Sequence, residues 1–203
     1  MLLAALPAWA PSWAAEPTLK ITAPADGAVV DPAKEFTVEV EAEPAVAFQT
    51  VAVIGENPIG LSDVLTAPPY RFTMKTKPDC DSGVYRLTAI GRTRSGEQVY
   101  SKRVSIDLER SDDPTKLKAE LSSVSFGEVG EECLLVITGV YGDGSLVSVS
   151  RSTRTKYSSS DPSVVVVEGD MAKAVGPGFA DITVKHGPLN LVIPVGVPPE
   201  KQQ

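Results

Sequence analysis

The sequence has very few residues of the types that perform catalysis: one histidine, His186, and two cysteines, Cys80 and Cys133. A zinc site needs about four converging ligands, and a serine hydrolase triad needs a histidine between its serine and its acid. One histidine and two distant cysteines supply neither set. His186 also stands directly before Gly187 and Pro188, where we expect a turn. A glycine-rich phosphate loop between a strand and a helix is missing as well, so we expect no enzyme activity, no metal and no cofactor.

The sequence also lacks an excess of positive charge, because its formal net charge is −7 and is spread over both halves. Binding to nucleic acid needs a basic stripe that displaces counterions from phosphate, and docking on an anionic membrane needs a similar cluster. After residues 1–15, no segment approaches the roughly 20 apolar residues of a membrane-spanning helix. We therefore expect no nucleic acid partner and no membrane span in the mature chain.

Acidic side chains occur close together in predicted loops, at Asp79, Asp81, Asp112 and Asp113. Oxygen ligands of this kind suit a hard cation such as calcium. The D-x-D-x-D-G pattern of a calcium-binding loop is missing, however. We prefer to interpret these residues as solvated turn residues.

Residues 1–15 are uncharged and apolar and resemble the core of a secretory signal peptide. Small residues two positions apart allow cleavage after Ala10 or after Ala14. The basic segment that usually precedes such a core is missing, which fits a start upstream of residue 1. The alternative, a buried first strand, is weakened by Pro7 and Pro11, since proline removes a donor from the strand ladder. We expect an exported protein.

The remaining sequence predicts an all-β fold with two tandem immunoglobulin-like β-sandwich domains. It is rich in valine, threonine, serine, glycine and proline, and no segment combines helical apolar spacing with helix-forming composition. Its 203 residues fit two sandwiches of about 90 residues each. The polar stretch 109–114 ends in a proline between two strand-like regions. We predict domains at residues 16–110 and 111–203.

The first half contains a turn motif just before one of its predicted strands. Asp81, Gly83 and Tyr85, followed by Leu87, fit the pattern D-x-G-x-Y-x-C with leucine in place of cysteine. Glycine permits the turn, and the tyrosine hydroxyl can return to the backbone as a tyrosine corner. The motif resembles the corner before strand F of immunoglobulin sandwiches. Residues 18–108 resemble the immunoglobulin-like modules of many secreted bacterial proteins, which implies a fold and leaves the function open.

The second half contains three blocks in a characteristic order, at residues 126–145, 157–164 and 174–184. These blocks resemble bacterial Ig-like group 2 domains, which occur in adhesins of the intimin and invasin type. The resemblance covers residues 116–197 and implies a second sandwich. One position departs from the family pattern, because Tyr157 stands where tryptophan is usual. A tyrosine there buries a similar ring but needs a partner for its hydroxyl.

The two cysteines fall one in each half, so neither half can form an internal disulfide of its own. Cys80 lies in the loop before strand F of the first domain, and Cys133 opens strand B of the second. In an oxidising compartment the two can form an interdomain disulfide, provided that their Cα atoms come within about 7 Å. The favoured alternative is a pair of buried free thiols.

The predicted export, the two sandwiches and the missing catalytic groups together indicate a non-catalytic binding or spacer protein of the bacterial cell envelope or secreted fraction, adhesion-like in role. We expect it in the periplasm, at the cell surface or outside the cell. The expected partner is another envelope or secreted protein, ahead of a polysaccharide. The alternative is an accessory carbohydrate- or protein-binding subunit of a secreted enzyme complex. Both tryptophans, Trp9 and Trp13, lie in the predicted signal peptide, which counts against a sugar platform.

Overall fold

The computed structural model describes residues 16–199. The predicted signal peptide, residues 1–15, lies outside the described residues. The described part consists of strands, turns and one short 3-10 turn at Ala45–Ala47, so the all-β prediction is confirmed. Within residues 16–199, no helix is long and apolar enough to cross a membrane.

The first half folds into two sheets that enclose one core. Its strands are β1 (Thr18–Ala23), β2 (Ala28–Val30), β3 (Phe36–Glu43), β4 (Phe48–Gly55), β5 (Gly60–Leu61), β6 (Tyr70–Met74), β7 (Gly83–Thr93), β8 (Gln98–Tyr100) and β9 (Val104–Leu108). One sheet has the order β1-β3-β6, and the other has the order β2-β9-β7-β4-β5 with β8 beside β7. All neighbours are antiparallel except β2 and β9, which run parallel.

Alternating apolar residues explain why these strands form a sandwich. In β3, Val38, Val40 and Ala42 are buried while Thr37 and Glu41 on the opposite face are exposed. Side chains of successive strand residues point to opposite faces, so one face enters the core and the other meets water. Each fully buried valine or leucine in such a core contributes roughly 1.5–3 kcal/mol to the free energy of unfolding.

The second half encloses a separate core between three small sheets. Its strands are β10 (Lys116–Ala119), β11 (Val124–Ser125), β12 (Glu132–Leu134), β13 (Ile137–Val140), β14 (Leu146–Ser148), β15 (Thr155–Ser159), β16 (Val165–Glu168), β17 (Met171–Ala174), β18 (Gly178–His186) and β19 (Leu189–Val197). The sheet orders are β10-β13-β14, β11-β19-β18-β15 and β12-β17-β16. Side chains from all three sheets meet in one apolar cluster.

The two halves form tandem immunoglobulin-like sandwiches, as the sequence predicts. One buried cluster draws only on residues before position 109, and the other only on residues after position 116. Within the described part of the chain, no sheet combines strands from β1–β9 with strands from β10–β19. The predicted boundary between residues 110 and 111 falls between β9 and β10, and its exact position stays a prediction.

His186 does not lie in a turn, contrary to the expectation from its glycine and proline neighbours. It is the last residue of β18 and its side chain is fully buried. The buried positions of this strand are Ala180, Ile182, Val184 and His186, which follow the period of two. The strand pattern therefore extends one residue further than the local turn signal suggests.

Candidate functional site

The sequence motif at the start of β7 forms a hydrogen-bonded corner in the structure. The hydroxyl of Tyr85 donates to the backbone carbonyl of Asp81 at 2.9 Å. Gly83 between them has a φ of +149°, a conformation that residues with a side chain rarely adopt. The three residues singled out by sequence are thus brought together within one turn.

This corner lies against the second domain. The backbone amide of Ser82 donates to the carbonyl of Ser148 at 2.9 Å. A Cβ atom added to Gly83 would stand 3.2 Å from the carbonyl oxygen of Arg151. A cavity of about 40 Å³ remains between the corner and residues 148–151. We call the contact region between the domains the interdomain junction; it comprises residues 81–83, 107–113 and 141–155.

Arg110 is the best-connected side chain of the interdomain junction. Its guanidinium group donates to both carboxylate oxygens of Asp112, at 2.8 and 2.9 Å. The same group donates to Asp143 at 3.1 Å and to the hydroxyl of Ser145 at 2.8 Å. It also lies 4.2 Å from the centre of the Tyr141 ring. Only 9% of the arginine side chain is exposed, so these contacts replace water almost completely.

The surroundings of Arg110 favour the ionised form of the two carboxylates that it contacts. Hydrogen bonds from the Ser145 side chain and backbone, followed by that from Arg110, lower the pKa of Asp143 to about 2. The hydrogen bond from Arg110 also lowers the pKa of Asp112. Burial raises the pKa of Tyr141 to about 12, so this ring stays neutral at physiological pH. The arginine thus bridges the connecting segment to the turn after β13.

Further polar contacts hold the connecting segment and the second domain. The hydroxyl of Ser111 donates to Asp31 of the first domain at 2.7 Å. Arg154 forms an ion pair with Asp113. Two of the four loop aspartates considered as cation ligands, Asp112 and Asp113, are therefore paired with arginines. Within residues 16–199, no group of three or more His, Cys, Asp or Glu side chains is arranged to hold a metal ion.

Two acidic residues at the end of β9 are buried under the second domain. Asp107 is 7% exposed and Glu109 is 4% exposed. The hydroxyl of Thr153 donates to one oxygen of Asp107. Burial raises the pKa of Glu109, since a desolvated carboxylate is disfavoured and the nearby Asp107 adds like charge.

The two cysteines are free in the structure. Cys80 is buried in the first core, and Cys133 on β12 packs against the second core. Burial raises the pKa of each thiol, so both are held mainly as weakly reactive thiols at neutral pH. The structure therefore contains no Cys80–Cys133 disulfide, because each side chain packs into its own domain. Alkylation of the unreduced protein tests the interdomain disulfide directly.

His186 and Tyr157 have structural partners within the second domain. Nδ1 of His186 lies 2.8 Å from the hydroxyl of Thr155. Burial lowers the pKa of His186, which keeps the ring neutral. The hydroxyl of Tyr157 donates to the carbonyl of Ser150 at 2.9 Å. The tyrosine at the usual tryptophan position therefore has a hydrogen-bond partner for its hydroxyl.

Sequence reasoning missed the buried residues of the interdomain junction, chiefly Asp107, Glu109, Arg110 and Tyr141. Residues 106–109 are all buried, although a strand with one wet face should alternate. For the polar stretch 109–114 the sequence predicts only a domain boundary. Its density of charges of both signs was the one signal that could have indicated an ordered contact.

Comparison with known proteins shows a family similarity for the first sandwich. Residues 17–89 match the family model described as "Bacterial Ig domain". This match runs from β1 into β7 and covers less than half of the chain, so it shows what the first sandwich is similar to. The predicted resemblance of residues 116–197 to group 2 domains lies outside this match and stays a prediction. No curated protein matches the chain.

The solved structures that match this chain are only distantly similar to it. Fibronectin(III)-like modules of CbhA from Clostridium thermocellum are 13% identical with a TM-score of 0.41, over 92% of this chain and 98% of theirs. The D00-D0 domain of intimin is 13% identical with a TM-score of 0.36, over 89% and 98%. Domains 4 and 5 of the S-layer protein SbsC are 16% identical with a TM-score of 0.37, over 73% and 76%. Function does not transfer at this level of similarity.

Proposed function

We propose that this chain is an exported, non-catalytic module of the bacterial cell envelope or secreted fraction, in which two immunoglobulin-like sandwiches form one stiff spacer that presents a protein-binding surface. The bacterial Ig domain supports the class of module. The interdomain junction carries the proposal of stiffness, because it joins the sandwiches through two separate contacts.

The first contact is the corner of the first domain against the loop after β14. It combines the hydrogen bond from Ser82 to Ser148 with the close approach of Gly83 to Arg151. The second contact is the network around Arg110, together with Ser111 and its bond to Asp31. Two contacts at different points of the chain restrict both bending and twisting, whereas a single covalent linker restricts neither.

A protein partner is favoured over a polysaccharide by the placement of exposed rings. Tyr100 is 57% exposed in the first domain and Phe179 is 89% exposed in the second. A carbohydrate platform uses several aromatic rings on one face, and these two rings belong to different sandwiches. Strand edges and loops, in contrast, are available on both domains for contact with another protein.

Export can be tested by expressing the chain with a C-terminal tag in a Gram-negative host and fractionating the cells. We expect the tagged protein in the periplasm or medium, with a mature N-terminus after Ala10 or Ala14. A cytoplasmic protein that keeps residues 1–15 would contradict the proposal. A second version that carries a complete signal peptide from the host serves as the positive control.

Stiffness can be tested by small-angle X-ray scattering on the purified chain and on the variant Arg110→Ala. We expect a narrow distribution of interatomic distances for the native chain and a broader one for the variant, since the variant loses the bonds to Asp112, Asp143 and Ser145. Lys118→Ala, an exposed lysine of β10, is the matched control. Equal broad distributions for all three proteins would contradict a stiff spacer.

A further inference from the structure

Three carboxylate oxygens at the interdomain junction are buried without a hydrogen-bond partner. They are Oδ1 of Asp107 and both oxygens of Glu109. The two residues are separated by one position at the end of β9, so their side chains leave the strand on the same face. That face would meet water in an isolated sandwich, and here residues 152–154 of the second domain lie against it. The two acids therefore share one dry space.

The surroundings of Glu109 offer little compensation for a negative charge. Ser152 and the backbone of Thr153 lie close enough to lower its pKa somewhat, but neither has the geometry of a hydrogen bond to the carboxylate. The guanidinium group of Arg154 also acts on Glu109 and is already paired with Asp113. The titratable and charged groups around this space are Asp107, Tyr141 and two arginines. Of these arginines, Arg110 is paired with Asp112 and Arg154 is paired with Asp113.

An ionised Glu109 would place a second carboxylate beside Asp107 in a space closed to water. A buried charge without donors is strongly disfavoured, and a like charge nearby adds to the cost. A neutral carboxylic acid avoids both penalties. It also provides one O–H donor, which the orphaned oxygens of this space lack.

We propose that Glu109 enters the closed interdomain junction as a neutral carboxylic acid, so that its ionisation loosens the contact and makes the stiffness of the domain pair depend on pH. This inference rests on the closed junction of the proposed stiff spacer. It does not depend on which partner the protein binds. Acidification tightens the pair, and alkalinity loosens it.

The sign follows from the direction of the pKa shift. Burial and the charge of Asp107 raise the pKa of Glu109 in the closed state, so that state binds more protons than the open one. The contribution to closure is therefore complete below the ordinary pKa of about 4.5 and is lost as the pH rises through the raised pKa. The lowered pKa values of Asp112 and Asp143 act in the opposite direction, but only as the pH falls below about 4.

The test follows hydrogen exchange at the backbone amide of Ser82 by NMR. This amide bonds across the interdomain junction to Ser148, so its protection reports closure. Between about pH 5 and about pH 8, we expect its protection factor, corrected for intrinsic exchange, to fall about tenfold for each unit by which the pKa of Glu109 differs between the closed and open states. The Val53 amide, bonded within the first domain, is the internal reference.

Three variants test the role of the Glu109 carboxyl group. Glu109→Gln keeps the shape and a neutral head group, and we expect a protection factor at Ser82 that no longer varies over this range. Glu97→Gln removes an exposed carboxylate of the first domain and should behave as the native protein does. Asp107→Asn removes the neighbouring like charge and brings the closed-state pKa of Glu109 nearer to its ordinary value. The total loss of Ser82 protection should therefore be smaller, and it should end at a lower pH than in the native protein. An identical pH dependence in the native protein and Glu109→Gln would overturn the proposal.

Calcium provides a further discriminating measurement. Calcium chloride is added at about 5 mM, several times the Kd of about 1 mM of the weakest extracellular calcium modules. If it restores Ser82 protection at alkaline pH in the native protein and not in Glu109→Gln, then the two acids bind a cation instead of holding a proton and the proposal fails. If Ser82 is unprotected at every pH, the junction is open and the proposed stiff spacer fails as well. If Ser82 is protected equally at every pH, only the pH dependence fails.

Discussion

Replacing Gly83 with alanine probes the interdomain junction at the point where backbone conformation and domain contact coincide. Gly83 has a φ of +149°, and its missing Cβ faces the carbonyl oxygen of Arg151 at 3.2 Å. The variant therefore meets two penalties at once. The first is strain within the tyrosine corner, and the second is a contact with the neighbouring domain that is tighter than most Cβ atoms make.

The two penalties can be separated with a second glycine of the same domain. Gly60 has a φ of +80° but has open space around its missing Cβ, so Gly60→Ala carries backbone strain alone, roughly 1–2 kcal/mol. Strain at Gly83 costs about 1–3 kcal/mol. The Arg151 carbonyl must also move by a few tenths of an ångström, or the domains must part. Since 1 kcal/mol lowers the melting temperature of a domain of this size by about 4–8 °C, both variants should melt earlier.

The distinguishing measurement is the exchange of the Ser82 amide at constant pH. We expect its protection to fall further in Gly83→Ala than in Gly60→Ala, because only the former pushes the second domain away. Gly142→Ala has neither a positive φ nor a close neighbour, and should leave melting and exchange nearly unchanged. If Gly83→Ala melts and exchanges as the native protein does, the corner does not adopt this conformation and the contact with Arg151 does not exist.

Four more outcomes follow from single residues. Tyr85→Phe removes the donor to the Asp81 carbonyl and should lower the free energy of unfolding by roughly 0.5–1.5 kcal/mol, measured in urea; an unchanged midpoint would argue against the corner. Arg110→Lys keeps the charge but loses the planar fork, and should cost roughly 1–3 kcal/mol in the same assay, whereas full stability would show that the fork is not used. Burial lowers the pKa of His186, so stability should decrease as the pH falls below about 6.5, and His186→Gln should reduce this slope. Denatured protein that has never been reduced should take up two alkyl groups at its cysteines, and uptake of none would establish a disulfide.

The sequence predicts this fold well where one domain alone determines the pattern. The alternation of Val38, Val40 and Ala42 with polar residues is local information, and the structure reproduces it. The corner of Asp81, Gly83 and Tyr85 is likewise a motif within seven residues. Period and turn chemistry are properties of neighbouring residues, so they can be recognised without knowledge of the whole molecule.

The residues of the interdomain junction escape such reasoning because their environment comes from elsewhere in the chain. Asp107 alternates with Ile106 and Leu108 as a solvent-facing residue of β9 should, and only the second domain turns that face into an interior. The sequence wrongly places His186 in a turn for a related reason, because the glycine after it is a stronger local signal than the pairing of β18 with β15. Tertiary contact overrides local preference at both places.

The covered face of β9 limits how this pair of domains can be recombined. A gene fusion that exchanged the second sandwich for another, cut between residues 110 and 111, would leave Asp107, Glu109 and Arg110 on the surface without Thr153, Tyr141 and Asp143. Such a chimera would keep the core of each domain but lose the fixed orientation of one domain relative to the other. A functional exchange of either sandwich therefore requires the matching face of its neighbour. The two domains have to be exchanged together as a pair.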